Sequence, residues 1–198
     1  MSEQAPRRTR QDAAKNRARI LATAQELFAR HGVEGVSMNR IAQEAEVGAG
    51  TLYRHFDSKS DLCFALIQDQ LALLADQLAS LAAAKNGDLH AALETMILRY
   101  LQFKEEKMPL FKGMEQTALH TGGAMQSPVY ESLRAPFSSL FERAAREEGA
   151  GDSADAVFRA DMLLAALIGA SLQFQSESRG IGLEEFAARA SAVFYPHG

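Results

Sequence analysis

Several residue types are scarce in this chain of 198 residues, and each scarcity removes a class of structure. The single cysteine, Cys63, excludes an internal disulfide and any metal site built from several cysteines. Uninterrupted apolar runs are too short to span a bilayer, and the N-terminus lacks the apolar core of a signal peptide. We therefore expect a cytoplasmic protein without a membrane anchor, in which Cys63 is a small buried hydrophobe rather than a redox sensor.

Local signatures of catalysis and metal binding are also missing from the sequence. The chain has no Gly-x-Ser-x-Gly elbow, no Gly-rich phosphate loop ending in Lys-Ser or Lys-Thr, and no dinucleotide fingerprint. His90 and His120 stand apart and outside any His-Glu-x-x-His pattern, so we expect no metal and no cofactor. An enzyme whose catalytic groups converge only in the folded chain stays open as an alternative.

Charge is divided unevenly along the chain, although the net charge is only -4. Residues 1–60 carry 10 Lys and Arg against 7 Asp and Glu, whereas residues 61–198 carry 11 against 18. The basic residues of the first twenty are Arg7, Arg8, Arg10, Lys15, Arg17 and Arg19. A flexible arm with these charges is suited to phosphates or a minor groove, and a solvated tail is the equally simple alternative.

Apolar residues recur at helical spacing nearly to the end of the chain, which predicts an all-α protein. Glycine, proline and capping residues place the helix ends. The predicted helices are at about 12–30, two short ones within 37–56, and then 58–84, 88–106, 109–120, 127–148, 153–180 and 183–195. We expect a DNA-binding domain at residues 1–57, including the basic arm, and a larger helical domain at 58–198.

Residues 37–59 contain two short helical patterns that meet at Val47 and Gly48. In the second pattern Leu52 and Phe56 are four residues apart, so both face inward while the residues between them face elsewhere. This division into a packing face and a contact face is typical of a helix-turn-helix, whose second helix places its start in the DNA major groove. A helix pair with a purely structural role is the alternative.

The outward residues of this motif suit a nucleic acid. Thr51 and Arg54 have the groups to contact base edges, and Lys59, at the start of a capped helix, is placed to bind a phosphate. Small residues before Thr51 would let the backbone approach the duplex closely. The predicted DNA-binding residues are Ser37, Met38, Arg40, Gly48, Ala49, Gly50, Thr51, Tyr53, Arg54, His55 and Lys59.

The literal sequence of this motif resembles a known family. The run Gly-Thr-Leu-Tyr-Arg-His-Phe-Asp-Ser-Lys at residues 50–59, preceded by Ser-Met-Asn-Arg-Ile-Ala, is similar to the DNA-binding domain of the TetR family of transcriptional regulators. Residues 20–28, followed by Gly32 and Gly35, resemble the first helix and turn of that domain. The resemblance covers about the first third of the chain and implies a regulator, with repression expected and activation also known in the family.

The resemblance further implies a small-molecule effector site between about residues 88 and 174, and a homodimer through the last two helices. The effector-binding candidates are Met96, Tyr100, Phe103, Met114, His120, Phe137, Gln173 and Phe174. Each apolar member of this set is equally well explained as part of the core. For the dimer, one stripe joins Leu163, Ala166, Leu167, Ala170 and Phe174, and another joins Phe186, Ala187, Ala190, Val193 and Phe194.

We therefore predict a ligand-released repressor that binds a palindromic operator as a dimer. Two alternatives belong to other classes: an enzyme, and a helical interaction module whose helix-turn-helix does not bind DNA. Salt-dependent binding to a palindrome near its own gene would distinguish a regulator from both.

Overall fold

The computed structural model describes residues 5–84, 88–121, 127–148, 152–167 and 169–195, with side chains for all except 5–10, 115–121, 148, 153 and 169–170. Every regular element in these ranges is helical, which confirms the all-α prediction. The α-helices are α1 (Ala5–His31), α2 (Met38–Glu44), α3 (Ala49–His55), α4 (Lys59–Ala83), α5 (Leu89–Glu106), α6 (Met108–Thr121), α7 (Pro128–Glu148), α8 (Ala156–Ala166), α9 (Gly169–Arg179) and α10 (Leu183–Phe194).

The chain divides into two compact units. The first unit contains Met1–Gln68 and Pro109–Thr117, and the second contains Asp69–Met108 and Ala118–Gly198. The helices α4 and α6 each contribute residues to both units. The predicted domain boundary between residues 57 and 58 stays a prediction.

In the first unit, α1 buries Ile20, Ala24 and Leu27, as the helical spacing predicts. It ends where Gly32 takes a left-handed conformation with φ of 72° and donates its N–H to the Phe28 carbonyl, a turn that favours glycine. The helix begins earlier than predicted, at Ala5 rather than near residue 12. A proline in the first turn is compatible with a helix, so the basic segment, for which a flexible arm and a solvated tail were the alternatives, is the start of α1.

The second unit is built around α5, which packs against α10, and α7, which packs against α8. The largest fully buried side chains of this unit include Phe137, Phe141, Leu93 and Met96. The helices predicted to start at residues 88 and 127 have side-chain caps there. Asp88 accepts hydrogen bonds from the N–H groups of residues 90 and 91, and Ser127 accepts one from the N–H of residue 130.

Two expectations about helix continuity differ from the structure. A proline inside a helix usually bends or interrupts it, yet α7 continues through Pro136. The apolar segment that begins at residue 153 was expected to be one helix, and it forms a short 3-10 turn at Ser153–Asp155 followed by α8 and α9.

The end of α8 is bound by a buried lysine. Lys104 is only 2% exposed, and its ammonium donates a hydrogen bond to the Leu167 carbonyl at 3.2 Å. A buried cation on a helix C-terminal carbonyl stabilises that helix end, a long-range contact that periodicity does not reveal.

The residues of the two predicted dimer stripes differ in burial in the structure. Leu163, Leu167 and Ala187 are fully buried within the protomer, whereas Phe174 and Val193 are exposed. The buried three therefore belong to the core and not to an intermolecular surface. Ala170 lies outside the residues whose side chains the structure describes.

By length and composition alone, α4 is long and apolar enough to cross a membrane, and α8 with α9 would be so only if counted as one span. The apolar runs of the sequence had predicted no such helix. A helix that buries one face in a core passes the same test, and α4 buries Leu62, Ile67, Leu71 and Leu78.

Candidate DNA-binding surface

The helix α2 begins at a side-chain cap. Ser37 has extended backbone geometry, with φ of -91° and ψ of 155°, and its hydroxyl accepts a hydrogen bond from the Arg40 N–H at 3.2 Å. This satisfies one of the amide groups that a helix start leaves without a partner. Met38, Ile41 and Ala42 are buried, so α2 packs inward along this side.

The turn between α2 and α3 closes as a Schellman motif with glutamate in the place usually taken by glycine. The Glu46 N–H donates to the Gln43 carbonyl and the Val47 N–H donates to the Ala42 carbonyl, at 3.1 and 3.0 Å. Glu46 has a positive φ of 51°, a conformation that strains residues with a Cβ. From α1, Arg19 donates to the Glu46 carbonyl at 3.2 Å, which ties the turn to the first helix.

The helix α3 separates its packing face from its outer face as predicted. Leu52 is fully buried and Phe56 is 4% exposed, while Tyr53 is 47% exposed and Thr51 is half-buried. The helix begins at Gly48, which supplies no side-chain cap, so the first turn of α3 is bare backbone. A Cβ built on Gly50 would meet nothing within 4 Å, and the fold itself therefore does not require glycine there.

Three arginines near the motif are held by contacts within the same unit. Arg40 lies 3.0 Å from the His31 Nε2, and the Arg54 Nε donates to the Gly50 carbonyl at 3.0 Å. The guanidinium of Arg17 lies 5.4 Å from the centre of the Phe56 ring. Arg54 is exposed and its contact uses Nε, so this bond does not engage its terminal nitrogens.

Lys59 is placed differently from the sequence prediction. Ser58 and Asp61 form the predicted cap at the start of α4, since the Asp61 N–H donates to the Ser58 hydroxyl at 3.1 Å. The Lys59 ammonium, however, donates to the Val33 carbonyl at 2.9 Å in a partly buried position. In this conformation the Lys59 ammonium stabilises the first unit by a hydrogen bond within it.

The structure brings most of the predicted DNA-binding residues to the exposed side of α2 and α3. Exposed or half-buried members of the set are Ser37, Arg40, Gly48, Ala49, Gly50, Thr51, Tyr53, Arg54 and His55, and Lys59 at the start of α4 is half-buried too. Met38 is the exception, because it is only 9% exposed and packs in the core. Its apolar side chain fits that role better than a contact with DNA.

The described effector candidates differ in burial and in the unit to which they belong. Met96 and Phe137 are fully buried and Tyr100 is 6% exposed, as expected of core residues, whereas Gln173 and Phe174 are exposed. Met114 belongs to the first unit, and the side chain of His120 lies outside the described residues.

Phe103 lines an open groove of about 550 Å³ between α4 and α5. Its other lining residues are the polar Gln70, Gln77, Arg99, Gln102 and Glu106 and the apolar Leu73 and Leu74. The groove therefore has a mixed polar and apolar lining and is open to solvent.

Comparison with known proteins decides the family. A family model described as "Bacterial regulatory proteins, tetR family" matches residues 20–66. An HTH-type transcriptional regulator of Staphylococcus aureus is 38% identical over 180 residues, which cover 89% of this chain and 91% of that protein. The chain belongs to the TetR family. It is a transcriptional regulator with a DNA-binding helix-turn-helix, as the sequence motif predicts.

Two solved TetR-fold structures cover nearly the whole chain. Thermus thermophilus FadR, described as a TetR-family repressor in complex with lauroyl-CoA, has a TM-score of 0.70 and 20% identity and covers 90% of this chain and 92% of its own. Bacillus subtilis FadR, in complex with stearoyl-CoA, has a TM-score of 0.60 and 13% identity, with 90% and 97% covered. At these identities the likeness shows the fold.

The TetR motif alone did not indicate three residues that support the surface. Arg19 holds the turn before α3, His31 contacts Arg40, and Val33 receives Lys59. All three contacts join residues nine or more positions apart, so no local pattern predicts them. Glycines at 32 and 35, which mark a tight turn around Val33, were the available signal.

Proposed function

We propose that this TetR-family regulator is a cytoplasmic, ligand-responsive repressor that binds a palindromic operator as a homodimer and is released by a small-molecule effector. The observation that carries the proposal is the outer face of α3. Its first turn is bare backbone at Gly48, Ala49 and Gly50, and the polar side chains that follow point away from the core. Such a helix start can approach base edges without steric obstruction.

Each outward residue of α3 has a proposed role. Thr51 is placed to contact a base edge with its hydroxyl or a thymine methyl with its own methyl group. The terminal nitrogens of Arg54 are suited to guanine or a phosphate, and Tyr53 and His55 to phosphate oxygens. Ser37 and Arg40, at the start of α2, are suited to the phosphates beside them.

Dimerisation is supported by an exposed apolar surface on α8. Val157, Phe158 and Met162 are 44%, 62% and 39% exposed, and Phe158 and Met162, four residues apart, lie on the same side of the helix. On α10, Val193 is 73% exposed. Apolar side chains of this size in contact with water favour burial against a second copy, and a dimer supplies the second reading helix that a palindrome requires.

For the effector we propose an amphipathic molecule, and acyl-CoA is the first class to test. The support is that two FadR proteins with the same fold were solved with lauroyl-CoA and stearoyl-CoA. Mass spectrometry of small molecules that co-purify with the protein, followed by release of DNA on adding the identified compound, tests this part. The proposed effector class would be contradicted if DNA were released by no co-purified compound and by neither lauroyl-CoA nor stearoyl-CoA.

The DNA-binding part is tested with a duplex from the region upstream of the protein's own gene and a random duplex of equal length. Wild-type protein should bind the upstream duplex more tightly, with an affinity that falls steeply with salt. Thr51→Ala should reduce the preference for the upstream duplex by about tenfold, because a base contact is lost and the phosphate contacts are not. If Thr51→Ala lost the same affinity for both duplexes, Thr51 would have no role in base recognition. If wild type bound both duplexes equally, the interaction module that does not recognise a DNA sequence would be favoured.

A further inference from the structure

Lys59 is directed into the first unit rather than toward a DNA ligand. Its ammonium donates to the Val33 carbonyl at 2.9 Å, and the bond joins residues 26 positions apart. The positive charge also lies close enough to Cys63 to favour its thiolate, although burial dominates and raises the pKa of this thiol to about 12. Both observations place the Lys59 head group beside the packed interior of the unit.

Val33 is held from a second direction by α6. A Cβ built on Gly113 would lie 2.6 Å from the Val33 Cγ1 and 3.0 Å from the Cys63 Sγ, so only glycine permits this approach. Val33 is 4% exposed. Its side chain thus packs against α6 and α4, while its carbonyl is bound by Lys59 of α4.

The segment around Val33 leads directly into the DNA-binding motif. The Val36 N–H donates to the Val33 carbonyl at 3.5 Å, and Val36 is fully buried one residue before the Ser37 cap of α2. At the other end of the same turn, His31 contacts Arg40 of α2 at 3.0 Å. A displacement of Val33 would therefore be transmitted to the start of α2.

We propose that Lys59 is a positioning residue for DNA recognition, which acts by holding Val33 against Gly113 and so fixes the α1–α2 turn, and that it is not a phosphate ligand. The proposal rests on the proposed function, in which α2 and α3 bind DNA. The sequence predicted that the Lys59 charge binds a DNA phosphate, whereas here it binds the Val33 carbonyl. If the Lys59 ammonium binds the Val33 carbonyl, it releases no counterions from DNA, whereas a lysine that binds a phosphate does.

The two roles predict different dependences on salt and on DNA sequence. Loss of a phosphate contact weakens binding to every duplex alike and lowers the salt slope by about 0.9. Loss of a positioning contact leaves the salt slope unchanged and weakens binding mainly to the specific duplex. A purely structural role would lower the melting temperature without changing the specificity ratio well below melting.

The experiment compares full-length wild type with Lys59→Met, Lys59→Gln and Gly113→Ala on the upstream and random duplexes, from 50 to 200 mM salt. We expect Lys59→Met to lose about tenfold in specific affinity, because a charge-assisted hydrogen bond is removed, with the salt slope unchanged. Lys59→Gln, which keeps a donor without the charge, should recover most of the loss. Gly113→Ala, which changes no charge, should reproduce the Lys59→Met result by displacing Val33 from the α6 side. Arg54→Gln is the control for an exposed charge and should lower the slope.

Equal losses on both duplexes with a slope reduced by about 0.9 in both Lys59 variants would overturn the proposal in favour of a phosphate contact. Amide hydrogen exchange of residues 31–41 in the free protein provides a test that needs no DNA. Exchange should be faster in Lys59→Met and Gly113→Ala than in wild type and near wild type in Lys59→Gln, and unchanged exchange in Lys59→Met would also overturn it. If wild type itself prefers no duplex, the proposed function fails, and the exchange data still decide whether Lys59 holds this turn.

Discussion

The outer faces of α3 and α8 differ in chemistry although both helices bury their opposite sides. The α3 face begins with small residues and continues with Thr51, Tyr53 and Arg54, whereas the α8 face exposes Val157, Phe158 and Met162. The first suits a hydrated polyanion, because its groups form hydrogen bonds. The second suits another apolar protein surface. The residues on the exposed face of an amphipathic helix thus indicate the kind of partner that it suits, and its buried residues show only its contacts with the core.

Changing the α8 face should have the largest effect. Phe158→Asp places a charge in the proposed dimer surface and should weaken dimerisation by about 3 kcal/mol, or about 100-fold. Analytical ultracentrifugation across a concentration series measures the dissociation constant. The matched control is Leu73→Asp on α4, since Leu73 is 60% exposed and Phe158 is 62% exposed. If both variants dimerise as wild type does, the α8 face is not the dimer surface.

On the α3 face, Gly50→Ala should separate stability from DNA affinity. The added methyl meets open space in the free protein and favours the helix, so the free energy of unfolding should rise by about 0.5 kcal/mol. The same methyl would hold α3 away from a duplex, and affinity for the upstream duplex should fall by about tenfold. Urea unfolding and fluorescence anisotropy measure the two quantities. Unchanged affinity would mean that the backbone at residue 50 stays clear of the DNA.

The turn that presents α3 should give the smallest effect. Glu46→Gly removes the strain of a positive φ and should raise the free energy of unfolding by about 1 kcal/mol. The reciprocal variant at the end of α1, Gly32→Ala, should lower it by about the same amount, since Gly32 also has a positive φ. Urea unfolding of both variants tests the pair. A loss of stability in Glu46→Gly would show that the glutamate side chain contributes more than its backbone strain subtracts.

Features that depend on neighbours in the sequence were predictable here. The caps at Ser37, Ser58 and Asp88 and the inward faces of α1 and α3 follow from local patterns, and the structure has them. A cap involves atoms within three residues of each other, so a sequence pattern contains nearly all the required information.

Features that depend on distant partners were not predictable. The side of α8 that faces the core, the end of that helix at Leu167 and the inward direction of Lys59 all depend on contacts between distant segments. Periodicity identifies an apolar stripe but does not say which element covers it. For the same reason, helical spacing could not decide whether Met96 and Phe137 line the pocket that the TetR resemblance implies or belong to the core, where the structure buries both.

The burial of Cys63 makes the chain convenient for distance measurements. The thiol is fully buried and its pKa is raised to about 12, so near neutral pH it should react slowly with alkylating labels. A single Tyr53→Cys substitution would then provide one reactive position per subunit. In a dimer, two spin labels at that position would report the separation of the reading helices, for comparison with the 34–36 Å of one turn of DNA.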